Sequence, residues 1–279
     1  MLKIAVIGDP IEHSLSPKVH GAALDALGVE YEYEKVRVVR GGLEEYIKYA
    51  KDTNTDGFNL TMPHKVDILP FLSEIDAEAE AFSSVNTVCV RDGKLCGYNT
   101  DAIGYRLSLE MCGYKFKDSR VVILGAGGVV RTLALAAALD GARSITILNR
   151  TEAKAEEICK NILDKCESAD FGGFSIAELE KRCADADILI NATPLGMSGC
   201  MGKFEDLSFL DAVPKSALVS DLIYNPPKTE FLQKAEKNGN KILNGLGMLI
   251  YQALAADEYY LGRKIDMNKI YKAVEAAMA

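Results

Sequence analysis

From Val121 the chain reads Val121-Val122-Ile123-Leu124, an apolar strand pattern that runs without a spacer into Gly125-Ala126-Gly127-Gly128 and then into a helical pattern reaching Leu139. Few arrangements are open to such a stretch. Gly125 lets the chain turn sharply out of a strand, and Gly127 removes a side chain that would hold a phosphate off the backbone. The following helix points its unpaired N-terminal amides and the positive end of its dipole at the same spot. A glycine triplet alone is weak evidence, and away from a strand it is an ordinary loop. Here a second strand pattern, Ser144 to Asn149, follows the helix after Asp140-Gly141 and completes a βαβ unit of about thirty residues. The turn is read as a dinucleotide cradle. Val130 stands where the third glycine of the usual fingerprint falls, so helix and strand are expected to sit slightly farther apart than in the tightest cases.

The end of the second strand bears on which nucleotide is taken. A site for NAD carries Asp or Glu there for the ribose, and that carboxylate repels a 2′-phosphate. This chain has Asn149-Arg150-Thr151, with Lys154 one helical turn on. Arg150 offers a planar fork of donors suited to phosphate, and Lys154 adds a point charge. NADP is expected rather than NAD. The alternative is that both are solvated cations at a helix start, a place the helix dipole does not favour for them.

A chain of 279 residues, 48% hydrophobic and 26% charged, is long enough for two modest domains. The net charge of −8 and the lack of a Lys/Arg stripe argue against nucleic acid. Cys89, Cys96, Cys112, Cys159, Cys166, Cys183 and Cys200 form no Cys-x-x-Cys pair and stand beside only three histidines, so no metal is expected. Their odd number and scattered spacing fit a reducing compartment. The opening Met1–Gly8 is too short for a signal peptide, and no apolar run approaches the ~18 residues that cross a bilayer. A cytoplasmic, soluble protein without a membrane partner is expected.

Strand and helix patterns alternate over the first hundred residues: Lys3–Gly8, Pro17–Leu27, Tyr31–Val38, Leu43–Lys51 and Gly57–Leu60. Such alternation means βαβ units and a largely parallel sheet. Asp92-Gly93 signals a hairpin between Thr87–Arg91 and Lys94–Gly97. Ala102 to Cys112 reads as a helix leading into the next domain. A second series follows, with strands near Val121–Leu124, Ile145–Leu148, Ile188–Asn191 and Leu218–Asp221. After Asn240 the pattern is helical, Gly247–Tyr260 and Met267–Met278, with no strand series of its own. The expected architecture is α/β in two domains: residues 1–101 plus 240–279 for substrate, and a Rossmann-like nucleotide domain over 102–239, with C-terminal helices returning to the first.

Polar residues crowd the C-terminal ends of the first-domain strands, where open α/β sheets place ligands. After the first strand come His13-Ser14-Leu15-Ser16-Pro17; after the Gly57 strand, Asn59-Leu60-Thr61-Met62-Pro63-His64-Lys65; then Asn86-Thr87 and Asn99-Thr100-Asp101. The set suits a polyhydroxylated substrate. Ser16 has an alternative reading as the cap of the helix near Pro17, and Asn86 and Asn99 as residues closing turns.

Together these segments resemble the shikimate dehydrogenase family, in the family's order from residue 8 to 252. The resemblance also takes in Asn191-Ala192-Thr193-Pro194-Leu195-Gly196-Met197, Asp221 through Tyr224 and Pro226-Pro227 to Thr229, and Gly245-Leu246-Gly247-Met248-Leu249 with Gln252. It implies the reversible NADPH-dependent reduction of 3-dehydroshikimate to shikimate, in aromatic amino-acid biosynthesis. It implies Lys65 and Asp101 as the acid–base pair. A reduced ketone leaves charge on oxygen and needs a proton donor within reach; the alternative for two such residues is a surface ion pair. Ser14, Ser16 and Tyr224 would hold the substrate carboxylate, and Asn59, Thr61, Asn86, Asp101 and Gln252 its ring hydroxyls. Gly125, Ala126, Gly127, Gly128, Asn149, Arg150, Thr151, Lys154, Thr193, Gly245 and Met248 would hold NADP. Met248 also suits core packing, and His13 and His64 suit supporting hydrogen bonds better than catalysis. Ala102, Asn244 and Val130 depart from the family pattern and bear on kinetics more than on reaction type. A monomer or homodimer is expected. Rival readings are a quinate/shikimate dehydrogenase using NAD or both cofactors, and, more remotely, a non-catalytic nucleotide-binding regulator.

Overall fold

The computed structural model describes residues 1–163, 165–166, 168–200 and 202–278. Two compact units make up the chain, Met1–Gly104 with Ile250–Ala279, and Tyr105–Leu249. In the first, β1 (Leu2–Gly8), α1 (Ser16–Ala26), β2 (Tyr31–Arg37), α2 (Leu43–Asp52) and β3 (Gly57–Leu60) form the parallel part of a sheet. The apolar residues of α2 recur as Leu43, Tyr46, Ile47 and Ala50, one stripe of a helix, and all four are buried. They pack with Ala5, Ile7, Phe58 and Leu60 from the sheet.

The sheet is less parallel than its alternating sequence implies. After β3 come α3 (His64–Asp67), β4 (Glu74–Ile75), α4 (Ala77–Phe82), β5 (Thr87–Arg91) and β6 (Lys94–Tyr98). The order is β2-β1-β3-β5-β6-β4, with β5 antiparallel to both β3 and β6. Asp92 and Gly93 both take positive φ, 51° and 75°, the backbone that a two-residue hairpin of right-handed twist requires.

From α5 (Asp101–Met111) the chain enters the second unit: β7 (Arg120–Leu124), α6 (Gly128–Leu139), β8 (Ser144–Leu148), α7 (Glu152–Lys160), β9 (Ala169–Gly172), α8 (Ile176–Cys183), β10 (Ile188–Asn191), β11 (Leu218–Asp221), α9 (Glu230–Lys237) and β12 (Lys241–Leu243). Every pairing is parallel, in the order β12-β11-β10-β7-β8-β9. This is the doubly wound arrangement, with its switch point between β7 and β10. The strand β12 adds three residues of strand just after Asn240, ahead of the helical pattern that starts at Gly247.

The chain returns to the first unit within α10 (Leu246–Leu261) and ends in α11 (Met267–Met278), which packs against α1. Helix α10 is buried on most sides, through Tyr251, Ala253, Leu254, Ala255 and Ala256, and carries one fully buried carboxylate, Asp257. No helix among the described residues is long and apolar enough to cross a membrane.

Candidate active site

Lys65 sits on the one-turn helix α3, and Asp101 is the first residue of α5. They meet: Lys65 Nζ donates to Asp101 Oδ2 at 2.5 Å, with side chains 30% and 11% exposed. Helix α5 places its N-terminal dipole end behind the carboxylate. The other carboxylate oxygen accepts from Asn86 Nδ2 at 2.9 Å. Asp101 is thus held from two sides, while Lys65 spends one of its three donors.

Asn86 does more than close a turn. Its Oδ1 accepts from the Thr100 amide at 2.8 Å, from Thr87 Oγ1 at 3.0 Å and from Thr100 Oγ1 at 3.2 Å. Thr100 Oγ1 also reaches Gln252 Oε1 at 3.5 Å, which brings α10 to the same network. Asn99 Oδ1 accepts from the Asp101 amide at 3.1 Å, and Asn99 Nδ2 donates to Ser84 O at 2.8 Å. Asn59, 5% exposed at the end of β3, donates to Thr87 Oγ1 at 3.3 Å and accepts from Tyr33 Oη at 2.8 Å.

Ser14 Oγ donates to Ser16 Oγ at 3.2 Å and accepts from the Ser16 amide at 3.3 Å. Ser16 is not the helix cap. It is the first residue of α1; Leu15 holds the cap position without a side-chain cap, and the Ser14 hydroxyl accepts from the first helical amide instead. The Ser16 hydroxyl is therefore not spent on a helix cap. Thr61 follows β3, its methyl so near Gly8 that a Cβ there would lie 2.3 Å from it. His64 is buried, its Nε2 2.5 Å from Val38 O, a supporting role rather than a reacting one. His13 is exposed.

In the second unit the glycine turn has the shape its sequence demands. Gly125 takes φ +112°, and a Cβ on it would lie 3.1 Å from Ala192 O. At Gly127 and Gly128 a Cβ would meet nothing within 4 Å, so the backbone at the start of the twelve-residue helix α6 stands open. Ala126 lies between Gly125 and Gly127. Asn149, Arg150 and Thr151 follow β8, with Asn149 Nδ2 on Thr151 O at 2.9 Å. Arg150 and Lys154 are exposed at the start of α7, and no carboxylate among the described residues pairs with either. An open run of amides beside two unpaired cations fits a nucleotide with an extra phosphate.

Beneath Thr193 lies a buried polar knot. Thr193 Oγ1 donates to Asn191 Oδ1 at 2.6 Å, Asn191 Nδ2 to Asp221 Oδ1 at 3.0 Å, and Thr229 Oγ1 to Asp221 Oδ2 at 2.6 Å. Burial pushes the Asp221 carboxyl up despite hydrogen bonds from Thr229, the Ile223 amide and Asn191. Gly245 is required by close approach, since a Cβ would fall 2.0 Å from Leu222 O. Asn244, a departure in sequence, accepts from the Leu246 amide at 3.1 Å and donates to Pro227 O at 2.9 Å. Tyr224 and Met248 are half-buried in this second unit, away in sequence and unit from the serines. Burial raises the Tyr224 phenol.

One constellation has no counterpart in the sequence reading. His20 on α1 and Asp257 on α10 are both fully buried, with Nδ1 and Oδ1 2.6 Å apart. Tyr33 stacks on the imidazole, ring centroids 5.0 Å apart. The available signal was a lone carboxylate within the apolar run Ala253-Leu254-Ala255-Ala256-Asp257.

Residues 6–88 match the shikimate dehydrogenase substrate-binding domain family, and residues 107–196 match the shikimate/quinate 5-dehydrogenase family. A shikimate dehydrogenase (NADP+) of Alkaliphilus metalliredigens is 40% identical over 278 residues, covering 97% of this chain and 95% of the relative. A shikimate dehydrogenase solved in complex with NADP+ superposes with TM-score 0.89 at 38% identity, over 100% of this chain and 96% of the other. The ligand-free 5-ketofructose reductase of Gluconobacter sp. strain CHM43 gives TM-score 0.86 at 35% identity, over 99% and 98%.

Proposed function

We infer what these residues do from one premise: the chain belongs to the shikimate dehydrogenase family. It is an NADP-dependent oxidoreductase that interconverts 3-dehydroshikimate and shikimate, the reaction of the shikimate pathway. The observation that carries the assignment of roles is the Lys65–Asp101 contact at 2.5 Å, with Asn86 on the second carboxylate oxygen.

NADPH, when bound, supplies the hydride that reduces the ketone carbon. Lys65 stands as the proton donor to the oxygen that gains charge in that step, and takes the proton back in the oxidative direction. Asp101 orients the ammonium and accepts from a substrate hydroxyl. Asn86 keeps the carboxylate turned so that both tasks fall to one rotamer. Ser14 and Ser16, with Tyr224, hold the substrate carboxylate by neutral donors, which suits a protein of net charge −8 because no further charge has to be buried. Asn59, Thr61, Asn86 and Gln252 meet the ring hydroxyls.

For the nucleotide, the amides of Gly125, Ala126, Gly127 and Gly128 cradle the pyrophosphate, and Asn149, Arg150, Thr151 and Lys154 take the adenosine ribose with its 2′-phosphate. Thr193, Gly245 and Met248 lie along the nicotinamide end. Residues 1–101 with 240–279 serve mainly the substrate and 102–239 mainly the nucleotide, Gly245 and Met248 being assigned to the nucleotide and Tyr224 to the substrate across that division. The setting is the cytoplasm, a reading that the seven free cysteines support, and the working form is a monomer or homodimer.

A fold alone does not choose a substrate, and one similar structure is a 5-ketofructose reductase. The deciding assay crosses shikimate and quinate with NADP+ and NAD+, and adds 5-ketofructose with NADPH, following nicotinamide absorbance over a concentration series. The expected result is a kcat/KM for shikimate with NADP+ at least about tenfold above every other combination, the difference that ~1.4 kcal/mol of selective binding produces. Comparable turnover of quinate, NAD+ or 5-ketofructose would overturn the assignment of specificity.

A further inference from the structure

We propose that Asp221 is a positioning residue for both ligands: one oxygen of its buried carboxylate sets Thr193 by way of Asn191, and sets the segment bearing Tyr224 by way of the Ile223 amide. This rests on the reading above that Thr193 lies along the nicotinamide and that Tyr224 holds the substrate carboxylate.

The strands β10 and β11 are parallel neighbours, and their last residues, Asn191 and Asp221, stand side by side in the register, both fully buried. Beyond them the chain runs into residues 192–197 and 222–229, the two segments that carry Thr193 and Tyr224. Asp221 Oδ1 accepts from Asn191 Nδ2 and from the Ile223 amide, both at 3.0 Å. Asn191 turns its own Oδ1 to the Thr193 amide at 3.0 Å and to Thr193 Oγ1 at 2.6 Å. Thr193 Oγ1 accepts in turn from the Leu195 amide at 3.3 Å, so the run continues round the turn. The Thr193 methyl lies against the glycine turn, where a Cβ on Gly125 would come within 3.3 Å of it. A shift of Thr193 is therefore a shift beside the nucleotide cradle.

The second oxygen has a different task. Oδ2 accepts from Thr229 Oγ1 at 2.6 Å, and that hydroxyl accepts from the Leu232 amide at 3.4 Å as the N-cap of α9. Backbone bonds also join the two segments, from the Leu222 amide to Asn191 O and from the Ser198 amide to Asn225 O, each at 2.9 Å. Those bonds fix the strand ends and the far side of the turn. The Asn191 amide, and with it the Thr193 hydroxyl, is tied to β11 through Asp221 Oδ1. A hydrocarbon side chain at 221 would leave the donors of Asn191, Ile223 and Thr229 buried without acceptors, so all three would be free to move toward other partners.

The division of labour between the oxygens makes the test. Asp221→Ala removes both and should raise the KM of NADP+ and that of shikimate about threefold to tenfold each, the worth of one or two hydrogen bonds. Asn191→Ala breaks only the run to Thr193. It should raise the NADP+ KM alike and leave the shikimate KM within about twofold, since the Ile223 amide keeps its acceptor. Asp221→Asn retains one acceptor oxygen, which the two donors on Oδ1 claim over the single donor on Oδ2, and should return both KM values to within about twofold of the unaltered protein. The inhibition constant of adenosine 2′,5′-bisphosphate, which has the 2′-phosphate but no nicotinamide, should stay within about twofold in every variant, because Arg150 and Lys154 are untouched. A thermal melt of each variant accompanies the kinetics. Unchanged KM values in Asp221→Ala and Asn191→Ala, with raised ones in Thr193→Ala and Tyr224→Phe, overturn the positioning role and leave the ligand contacts standing. If Thr193→Ala and Tyr224→Phe also change neither KM, the contacts fail and this inference with them. Should Asp221→Ala not fold, Asn191→Ala decides by the split between the two KM values, and the absence of that split overturns the proposal. A bisphosphate constant that rises together with the NADP+ KM, in a variant of lowered melting point, overturns it too, because that is the mark of a structural residue.

Discussion

Lys65 has one donor on Asp101, so its removal takes away the proposed proton donor while Asn86 still holds the carboxylate. Lys65→Ala is expected to lower kcat by ~10²–10⁴, the usual worth of a placed acid–base group, with the shikimate KM within about threefold. Steady-state kinetics in both directions check this, and near-normal turnover would remove Lys65 from the chemistry. Residues of this kind were legible because they stand in short polar runs that break apolar patterns: Asn59-Leu60-Thr61, His64-Lys65, Asn99-Thr100-Asp101. Their wiring was not. That Asn86 spans Thr87, Thr100 and Asp101 depends on β5 lying against β6, which brings residues 14 and 15 positions apart into contact. His20 and Asp257 are farther still from such reading, since each is unremarkable until α1 and α10 are packed together. Ser16 went the other way. Its sequence offered a helix cap, and the helix begins at Ser16 itself, whose hydroxyl accepts from Ser14 instead.

At the scale of elements, periodicity revealed what was long and one-faced. The helices α2, α6, α10 and α11 and the buried strands β1, β3, β7, β10 and β11 lie within a residue or two of their sequence patterns. What escaped was short or polar: β4 is two residues, β9 reads Ala-Asp-Phe-Gly with no alternation, and β12 is three residues with an exposed lysine. The Asp92-Gly93 hairpin gave the antiparallel pairing of β5 with β6, but that of β5 with β3 escaped, because pairing across a sheet is not a local property. Between β10 and β11 the ends of two strands are joined by Asp221, which burial raises although Thr229, Asn191 and the Ile223 amide all donate to it. The sign of its effect follows. In the unfolded chain this carboxyl ionises near its ordinary 3.8, while in the folded chain it stays protonated to a higher pH. The unfolded state then binds fewer protons, so this group's favourable contribution is complete below 3.8 and is lost as pH rises through the raised folded value. Asp221→Asn should remove that slope and add a constant offset from altered hydrogen bonding with Thr229. Urea unfolding of both proteins across that window tests it: the stability difference should change with pH just above 3.8 and level off beyond, and a difference independent of pH would show that Asp221 titrates alike in both states.

For the whole molecule the notable fact is how the proposed contacts divide. Every residue assigned to the nucleotide, from Gly125 to Met248, lies within Tyr105–Leu249, and the Lys65–Asp101 pair with Ser14, Ser16, Asn59, Thr61, Asn86 and Gln252 lies in the other unit, while Tyr224 is the one substrate residue assigned from within Tyr105–Leu249. The chain passes between units inside α5 and inside α10, so each of those helices belongs to both. A ligand that binds only the folded form stabilises what it touches by RT ln(1 + [L]/Kd), about 2.7 kcal/mol at a hundredfold excess over Kd. Applied to units with separate cores, NADP+ alone should therefore slow amide exchange in the sheet of β7, β8 and β10 and in α6, by up to about a hundredfold where exchange runs through unfolding of that unit. The sheet of β1, β3 and β5 should exchange as in the free protein. The measurement is hydrogen exchange by mass spectrometry on the full chain with and without saturating NADP+, read peptide by peptide. Equal protection of both sheets would mean that the units unfold as one cooperative body, and the stability of the substrate site would then depend on nucleotide even though no nucleotide contact is assigned to it. Protection confined to Tyr105–Leu249 would mean that the first unit keeps its own stability, so that the contacts among Lys65, Asp101 and Asn86 are set before any cofactor arrives.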